Sequence, residues 1–330
     1  MKVLVLGGRG FVGRHAAQAL TARGHAVLVA SREPRYGVEV HLERLTTPAD
    51  WIGLLAGIDV VVNAVGILRE RGRETYERVH HLAPAALAAA CARRGVRLVH
   101  ISALGLHPDA RSGFIRSKLA GERAIPRARA DYCIVRPSLL DGEGGFGARW
   151  LRALARLPLH LVPREATGRI AAFDVRELGE AIALVCEVRS GPSEVELGGA
   201  AAWTMAEYLQ ALRRGDGLPP ATQISVPSWL ARFASHLCDL AHFSPFSFGH
   251  LELMRRDNVP SPNALPRLLG RPPRRIGEPC AEPSPSSLPS PLLARRLLRS
   301  NLRSLTRCVK AAMCSSCGMR PRTSVRTTRG

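Results

Sequence analysis

Aromatic residues are scarce: Phe, Trp and Tyr make up 5% of the 330 residues. Leu, Val and Ala must therefore fill most of any core, within a hydrophobic content of 46% that suits a globular protein. Long apolar runs are also missing. No stretch approaches the roughly 18 consecutive apolar residues of a membrane span. Acids are few, 27 Asp and Glu against 47 Lys and Arg, for a formal charge of +20. Residues 281–330 hold ten bases and the single acid Glu282, so +9 of that charge sits in the last fifty positions. The rest is only moderately basic, and no nucleic-acid partner is expected. An apolar run begins at once, at Lys2, so no secretory leader is expected and the chain is read as cytoplasmic. A disulfide framework is then not expected of the eight cysteines. Cys91, Cys133 and Cys186 fall in apolar patterns and read as small core residues. Cys314 and Cys317 form a lone C-x-x-C pair that Cys308 does not complete, so no metal site is expected.

The chain is organised around its opening, MKVLVLGGRGFVG. Residues 2–6 have the length of a buried strand and run into Gly7, Gly8, Gly10 and Gly13. An apolar, Ala-rich helical segment follows, over residues 11–20. Strand, glycine turn and helix form the context of a dinucleotide fingerprint. Glycines turn the chain and let backbone N–H groups approach a pyrophosphate, and Gly13 lets helix pack on strand. The helix N-terminus, starting at Phe11 and Val12, brings its partial positive charge to the phosphates. An ordinary glycine-rich turn is the plainer alternative.

Strands are expected at 25–31, 38–42, 59–64, 97–102 and 132–135. Helices are expected at 51–56, 74–94 and 113–123. This alternation predicts an α/β fold, a doubly wound parallel sheet of Rossmann type with right-handed crossovers. Beyond Pro137 a glycine-rich loop, 141–147, precedes helices at 150–157, 175–188, 205–213 and 227–240 and short strands at 169–173 and 194–197. Residues 1–278 are read as one nucleotide-binding domain. Segments 139–168 and 191–278 form a small C-terminal α/β lobe on the substrate side. Residues 279–330, Pro/Ser-rich and then Arg-rich, read as a disordered basic tail.

Several strand ends carry chemistry. Many NAD sites place an acid after the second strand to bind the adenosine ribose. This chain has Ser31 and Arg32 there, with no acid until Glu33, and Arg9 lies inside the glycine turn. Two guanidiniums near one ribose suit a 2′-phosphate, so NADP(H) is expected over NAD(H). Two solvated surface arginines remain the alternative. Asn63, Ala64, Val65 and Gly66 end the fourth strand with small residues over which a cofactor can lie.

GGRGFVG, NAVG, HISALG and IVRPS, in that order, resemble the extended short-chain dehydrogenase/reductase superfamily, of the epimerase/dehydratase type. ISALG, RSKLAGE and RPS are most similar to atypical members related to the nucleotide-binding accessory subunit of respiratory complex I. The likeness covers residues 1–190 well and reaches loosely to about 275. In that superfamily a Tyr-x-x-x-Lys pair and an upstream Ser do the redox chemistry. The resemblance implies Ser102 as the serine, which orients the substrate oxygen. It implies Lys118 as the lysine, which holds the nicotinamide ribose. It also implies that Arg136 and Pro137 line the nicotinamide side. The tyrosine position is Phe114, which has no ionisable hydroxyl for general acid–base work. Tyr76, His80, His81, His107 and Asp141 are candidate substitutes that the sequence does not rank. The histidines read as helix-surface or loop residues, and Asp174 reads as a helix N-cap.

Three functions stay open. The first is an NAD(P)-binding oxidoreductase or epimerase-like protein with weak or altered catalysis on an unidentified small molecule. The second is a non-catalytic NADPH-binding accessory subunit of a respiratory or quinone-related complex, peripheral at the membrane. The third is an enzyme that needs no tyrosine.

Overall fold

The computed structural model describes residues 1–33, 37–188, 191–241 and 246–276, all within one compact unit, Met1–Leu288. The expected tail, with Cys308, Cys314 and Cys317, lies outside the described residues.

The first half alternates strand and helix. It runs β1 (Lys2–Leu6), α1 (Phe11–Ala22), β2 (Ala26–Ser31), β3 (Val38–Glu39), α2 (Pro48–Ile52), β4 (Val60–Asn63), α3 (Ala83–Arg94), β5 (Arg97–Ile101), α4 (Gly113–Ala124) and β6 (Tyr132–Pro137). Shorter elements follow: β7 (Leu140–Asp141), α5 (Phe146–Arg156), β8 (Leu159–Pro163), β9 (Arg169–Ile170), β10 (Phe173–Asp174), α6 (Val175–Glu187) and β11 (Glu194–Leu197). The last are β12 (Trp203–Thr204), α7 (Met205–Gly215), β13 (Thr222–Val226), α8 (Ser228–Ala241), α9 (Phe248–Leu253) and α10 (Leu265–Leu269).

The main sheet has the order β11-β6-β5-β4-β1-β2-β3, with every neighbouring pair parallel. β4 and β5 are buried along their whole length, as strands covered on both faces must be. Leu6 pairs with both Ala30 and Asn63, and Asn63 pairs with His100. Gly7, Ser31, Asn63 and Ser102 are thereby brought to one carboxyl edge, where the order reverses beside β1.

α1 and α6 cover one face at close range. A Cβ at Gly179 would lie 2.6 Å from the His15 carbonyl oxygen. The other face carries Trp51, Leu55, Leu87 and Cys91, packed with Leu98 and Ile134 of the sheet. Cys91, Cys133 and Cys186 are buried free thiols. Asp174 caps α6, its carboxylate accepting the Arg176 N–H at 2.7 Å.

Local boundaries depart from the sequence reading for identifiable reasons. α2 starts at Pro48, because Asp50 accepts the Thr47 N–H at 2.8 Å and closes the first turn. The third strand ends at Glu39 and yields to a single 3₁₀ turn, Leu42–Arg44. The long helix after Glu74 is not uniform. Glu77–Leu82 winds as a π turn, with the Ala83 N–H donating to the Arg78 carbonyl. Pro84 has no N–H to give the His80 carbonyl, so the ladder must widen there. The expected strand at 169–173 splits, β9 pairing with β12 and β10 with β7.

In the lobe, α5 and α7 enclose Ala155, Ile170, Tyr208, Leu209 and Leu212. The Arg213 guanidinium donates to the carbonyls of Ala155, Arg156 and Leu157 at 3.2, 2.7 and 3.0 Å, satisfying the end of α5. The parallel ribbon of β8 and β13 was not evident in the sequence. Gly179→Val is expected to overpack the α1–α6 contact and cost about 1–3 kcal/mol. A lowered urea midpoint checks this, and an unchanged midpoint would contradict the packing.

Candidate functional site

The glycine turn is built by backbone contact. Gly7 has a φ of +69°, and the Gly10 N–H donates to its carbonyl at 2.8 Å. A Cβ at Gly13 would stand 2.2 Å from that same carbonyl. Gly8 donates to the Ala30 carbonyl at 3.2 Å, tying the turn to β2. α1 then begins with Gly10 as its cap, no side-chain capping bond and no acid in its first turn. Phe11 and Val12 are its first residues, and the first turn brings no acid of its own to the dipole's positive end. Phe11 also supports the 141–147 loop, since a Cβ at Gly145 would touch its ring.

A cavity of about 680 Å³ opens above this turn, lined by Gly7, Arg9, Gly10, Ser31, Arg32 and the strand end Ala64, Val65 and Gly66. The structure thus gathers the expected phosphate-side residues. It also shows an acid that sequence reading missed. Arg32 pairs with Glu74 at 2.6 Å, and Arg9 lies 4.0 Å from Glu33. Ser31 Oγ donates to the Glu33 carbonyl at 3.1 Å.

A polar pillar stands behind the strand ends. Asn63 is buried, its side-chain oxygen accepting the Val65 N–H and its amide meeting His100 Nδ1 at 3.2 Å. Burial and then Lys118 push His100 down to about 3, so it stays neutral. His80 is buried, not on a helix surface as the sequence implied. Its Nε2 accepts the Ile67 N–H at 3.1 Å, so the proton sits on Nδ1, which donates to Ser117 Oγ. Gly121 allows this close packing, since a Cβ there would clash with the His80 carbonyl. Burial, then Lys118, holds His80 well below its ordinary value.

Lys118 and Phe114 share one face of α4, four residues apart, and the ammonium lies 5.8 Å from the ring centroid. A Cβ at Gly66 would lie 3.8 Å from both Lys118 Nζ and His80 Nε2, so the amine adjoins the cavity floor. Desolvation lowers the amine to about 8, partly opposed by Glu122. Phe114 is packed among rings, edge-on to Tyr76 and His80 and stacked on His250. Ser102 is buried, and its hydroxyl has no hydrogen-bond partner among the described residues.

The other candidates are placed elsewhere. Tyr76 stacks on His80, but its hydroxyl donates to the Leu68 carbonyl at 2.8 Å. Burial, with Asp239 and Glu70, raises it to about 12, so the phenol stays protonated and is a poor acid. Asp141 is held by Arg152 in a two-bond fork. His81 pairs with Glu77 on the surface, and His107 lines a separate cavity. The Arg136 guanidinium is taken by Glu122 and Glu194, while the Pro137 carbonyl accepts the Leu104 N–H.

Residues 3–187 match the NAD dependent epimerase/dehydratase family. The chain belongs to that family. It is 29% identical over 191 residues to the ceramide reductase of Caulobacter vibrioides, covering 56% of this chain and 60% of the relative. It is 30% identical over 152 residues to the mitochondrial NADH dehydrogenase [ubiquinone] 1 alpha subcomplex subunit 9 of Arabidopsis thaliana, covering 42% of this chain and 38% of that protein. The chain thus matches less than two thirds of either relative's length. The Thermus thermophilus UDP-glucose 4-epimerase, solved with NAD, shares the fold, with a TM-score of 0.55 at 20% identity over 77% of this chain and 97% of that one.

The lowered lysine has a signed consequence. Between pH 8 and its ordinary 10.5, the folded state binds fewer protons at Lys118 than the unfolded state, so stability rises with pH through that window. Lys118→Met is expected to stabilise the protein at pH 7 by about 1 kcal/mol, allowing for partial solvation. The gain should vanish by pH 10.5 in thermal unfolding at the two pH values. A loss of stability at pH 7 would contradict the desolvated site.

Proposed function

We propose that this chain is a nicotinamide-dinucleotide-binding protein of the oxidoreductase and epimerase type, with its acid–base chemistry weakened at Phe114. The site's residues fit the cofactor. The Gly7–Gly10–Gly13 cradle excludes side chains and leaves an uncapped helix end for a pyrophosphate. Ser31 and Arg32 stand at the adenosine side, Ala64 to Gly66 beneath, and Lys118 at the nicotinamide ribose. The bound dinucleotide supplies a hydride donor or acceptor. The chain contributes the Ser102 hydroxyl and the Lys118 ammonium as donors toward a substrate oxygen or the ribose. Phe114 contributes only packing. Loss of a positioned proton donor removes about two to four orders of magnitude of rate.

We also infer a preference for NADP(H). The support is Arg32, directly after β2, which lines the cleft with Ser31 and has its guanidinium at the Glu74 carboxylate. A 2′-phosphate would replace the Glu74 carboxylate on the same guanidinium. Binding without efficient turnover is also what a non-catalytic accessory subunit of a respiratory complex requires. The likeness to the Arabidopsis subunit supports that second reading.

Two substitutions test these readings. Arg32→Ala is expected to weaken NADPH at least about tenfold, the value of one charge-assisted contact, while leaving NADH nearly unchanged. Equal loss of both cofactors would remove the 2′-phosphate assignment. Phe114→Tyr is expected to raise NADPH-dependent carbonyl reduction about a hundredfold across a substrate panel. No gain, with cofactor binding intact, would favour the accessory-subunit reading.

A further inference from the structure

α8 carries its large apolar side chains on the wrong side for a core helix. Trp229, Phe233, Leu237 and Leu240 are 71, 64, 52 and 79% exposed. At 100° per residue they fall on one stripe about 80° wide. The face turned inward carries small residues, Ala231 and Ser235, at 3 and 0% exposure. The helix is nonetheless firmly held. Asp239 pairs with Arg69 at 3.4 Å and accepts the Phe248 N–H at 3.0 Å, and His236 stacks on Phe248 at 4.8 Å. The ribbon leading into it through Pro227 adds exposed Ile224 beside its register partner Leu161. An outward stripe of this size on an anchored helix is a surface built to meet something apolar.

The flank of the stripe specifies what. Arg232, next to Phe233, lines a cavity of about 300 Å³ with Arg111, Arg255, Arg256 and His107. His107 is only 9% exposed, and both its ring nitrogens lack a hydrogen-bond partner among the described residues. Two acids also line the cavity. Glu252 is already engaged by the N–H groups of Arg111 and Ser112, at 2.7 and 2.9 Å. Asp109 lies 3.5 Å from Arg256. Glu165, nearby, is shared between Arg232 and Arg255. Four guanidiniums against three carboxylates leave a positive excess with an unused imidazole. Residues 1–280 carry +11 in all.

We propose that α8 docks the protein on an anionic phospholipid surface. Trp229, Phe233, Leu237 and Leu240 enter the headgroup–acyl boundary with the helix lying in the plane. Arg232 and Arg256, whose side chains are about half exposed, donate to a lipid phosphate at the rim. This is independent of the cofactor reading and of the basic tail. Through Arg69, which pairs with α8 and also lines the dinucleotide cleft, the docked helix adjoins the site.

Co-sedimentation of the full chain tests it, using vesicles of phosphatidylcholine alone and vesicles enriched in phosphatidylglycerol. Wild type is expected to pellet with the anionic vesicles. Trp229→Ser with Phe233→Ser should lower that partition at least about tenfold, and these exposed positions should leave the urea midpoint unchanged. Arg232→Ser with Arg256→Ser should lower partition onto the anionic vesicles at least about tenfold and leave that onto neutral vesicles unchanged. The tail is present in every variant, so undiminished binding by the aromatic variant would assign docking to the tail and overturn the proposal. Wild type left in solution with both vesicles would also overturn it. So would lipid-free dimerisation that the aromatic substitutions abolish, because the stripe would then be covered by a second copy.

Discussion

A side chain at position 13 would collide with the carbonyl of Gly7, and much of the molecule follows from that contact. It forces strand and helix together with no atoms between them. α1 then starts beside the cleft with no side-chain cap and no acid in its first turn. The same helix is clamped from behind at Gly179, against the His15 carbonyl. The N-terminal end of α1 is thus fixed in place by two close backbone contacts, at Gly13 and Gly179. The parallel register sets the remaining strand ends beside it, so Ser31, Asn63 and Ser102 reach the same edge through sheet geometry.

Beyond that edge the site is shaped by burial. His80 and His100 are kept neutral by desolvation and by the neighbouring Lys118, and they serve as hydrogen-bonding struts. Lys118 is the one cation of this group, and its lowered value measures the cost of holding charge there without a carboxylate in contact. Phe114 fits the ring cluster of Tyr76, His80 and His250, a packing role that needs no hydroxyl. Under the proposed reading, the chain presents a cradle fit for a dinucleotide and carries no hydroxyl at position 114 to move a proton.

The strand–turn–helix opening was legible because its signal is local, and the spacing from Phe114 to Lys118 is a single helical turn. What stayed hidden was long-range. Glu74 lies 42 residues from Arg32, and no periodicity joins them. His80 sits on what reads as one long helix, and the π turn at Glu77–Leu82 and its packing on Gly121 are long-range features that the sequence does not announce. α8 misleads in the opposite sense. The helix was expected at 227–240, yet its inward face is the small one, with Asp239 and His236 anchoring it from the polar flank. Periodicity reports a stripe and is silent on which way it points.

The account rests on the glycine turn as a dinucleotide site, and amide hydrogen exchange tests that most directly. On adding NADPH, peptides spanning residues 7–14 and 63–67 should exchange more slowly, while α5 and α7 in the lobe remain unchanged. Slowing confined to those strand ends would place the pyrophosphate at the uncapped helix and the ribose beside Gly66. Unchanged exchange at residues 7–14, at cofactor concentrations that saturate ordinary dinucleotide sites, would mean that the turn is structural only and the cleft has another ligand.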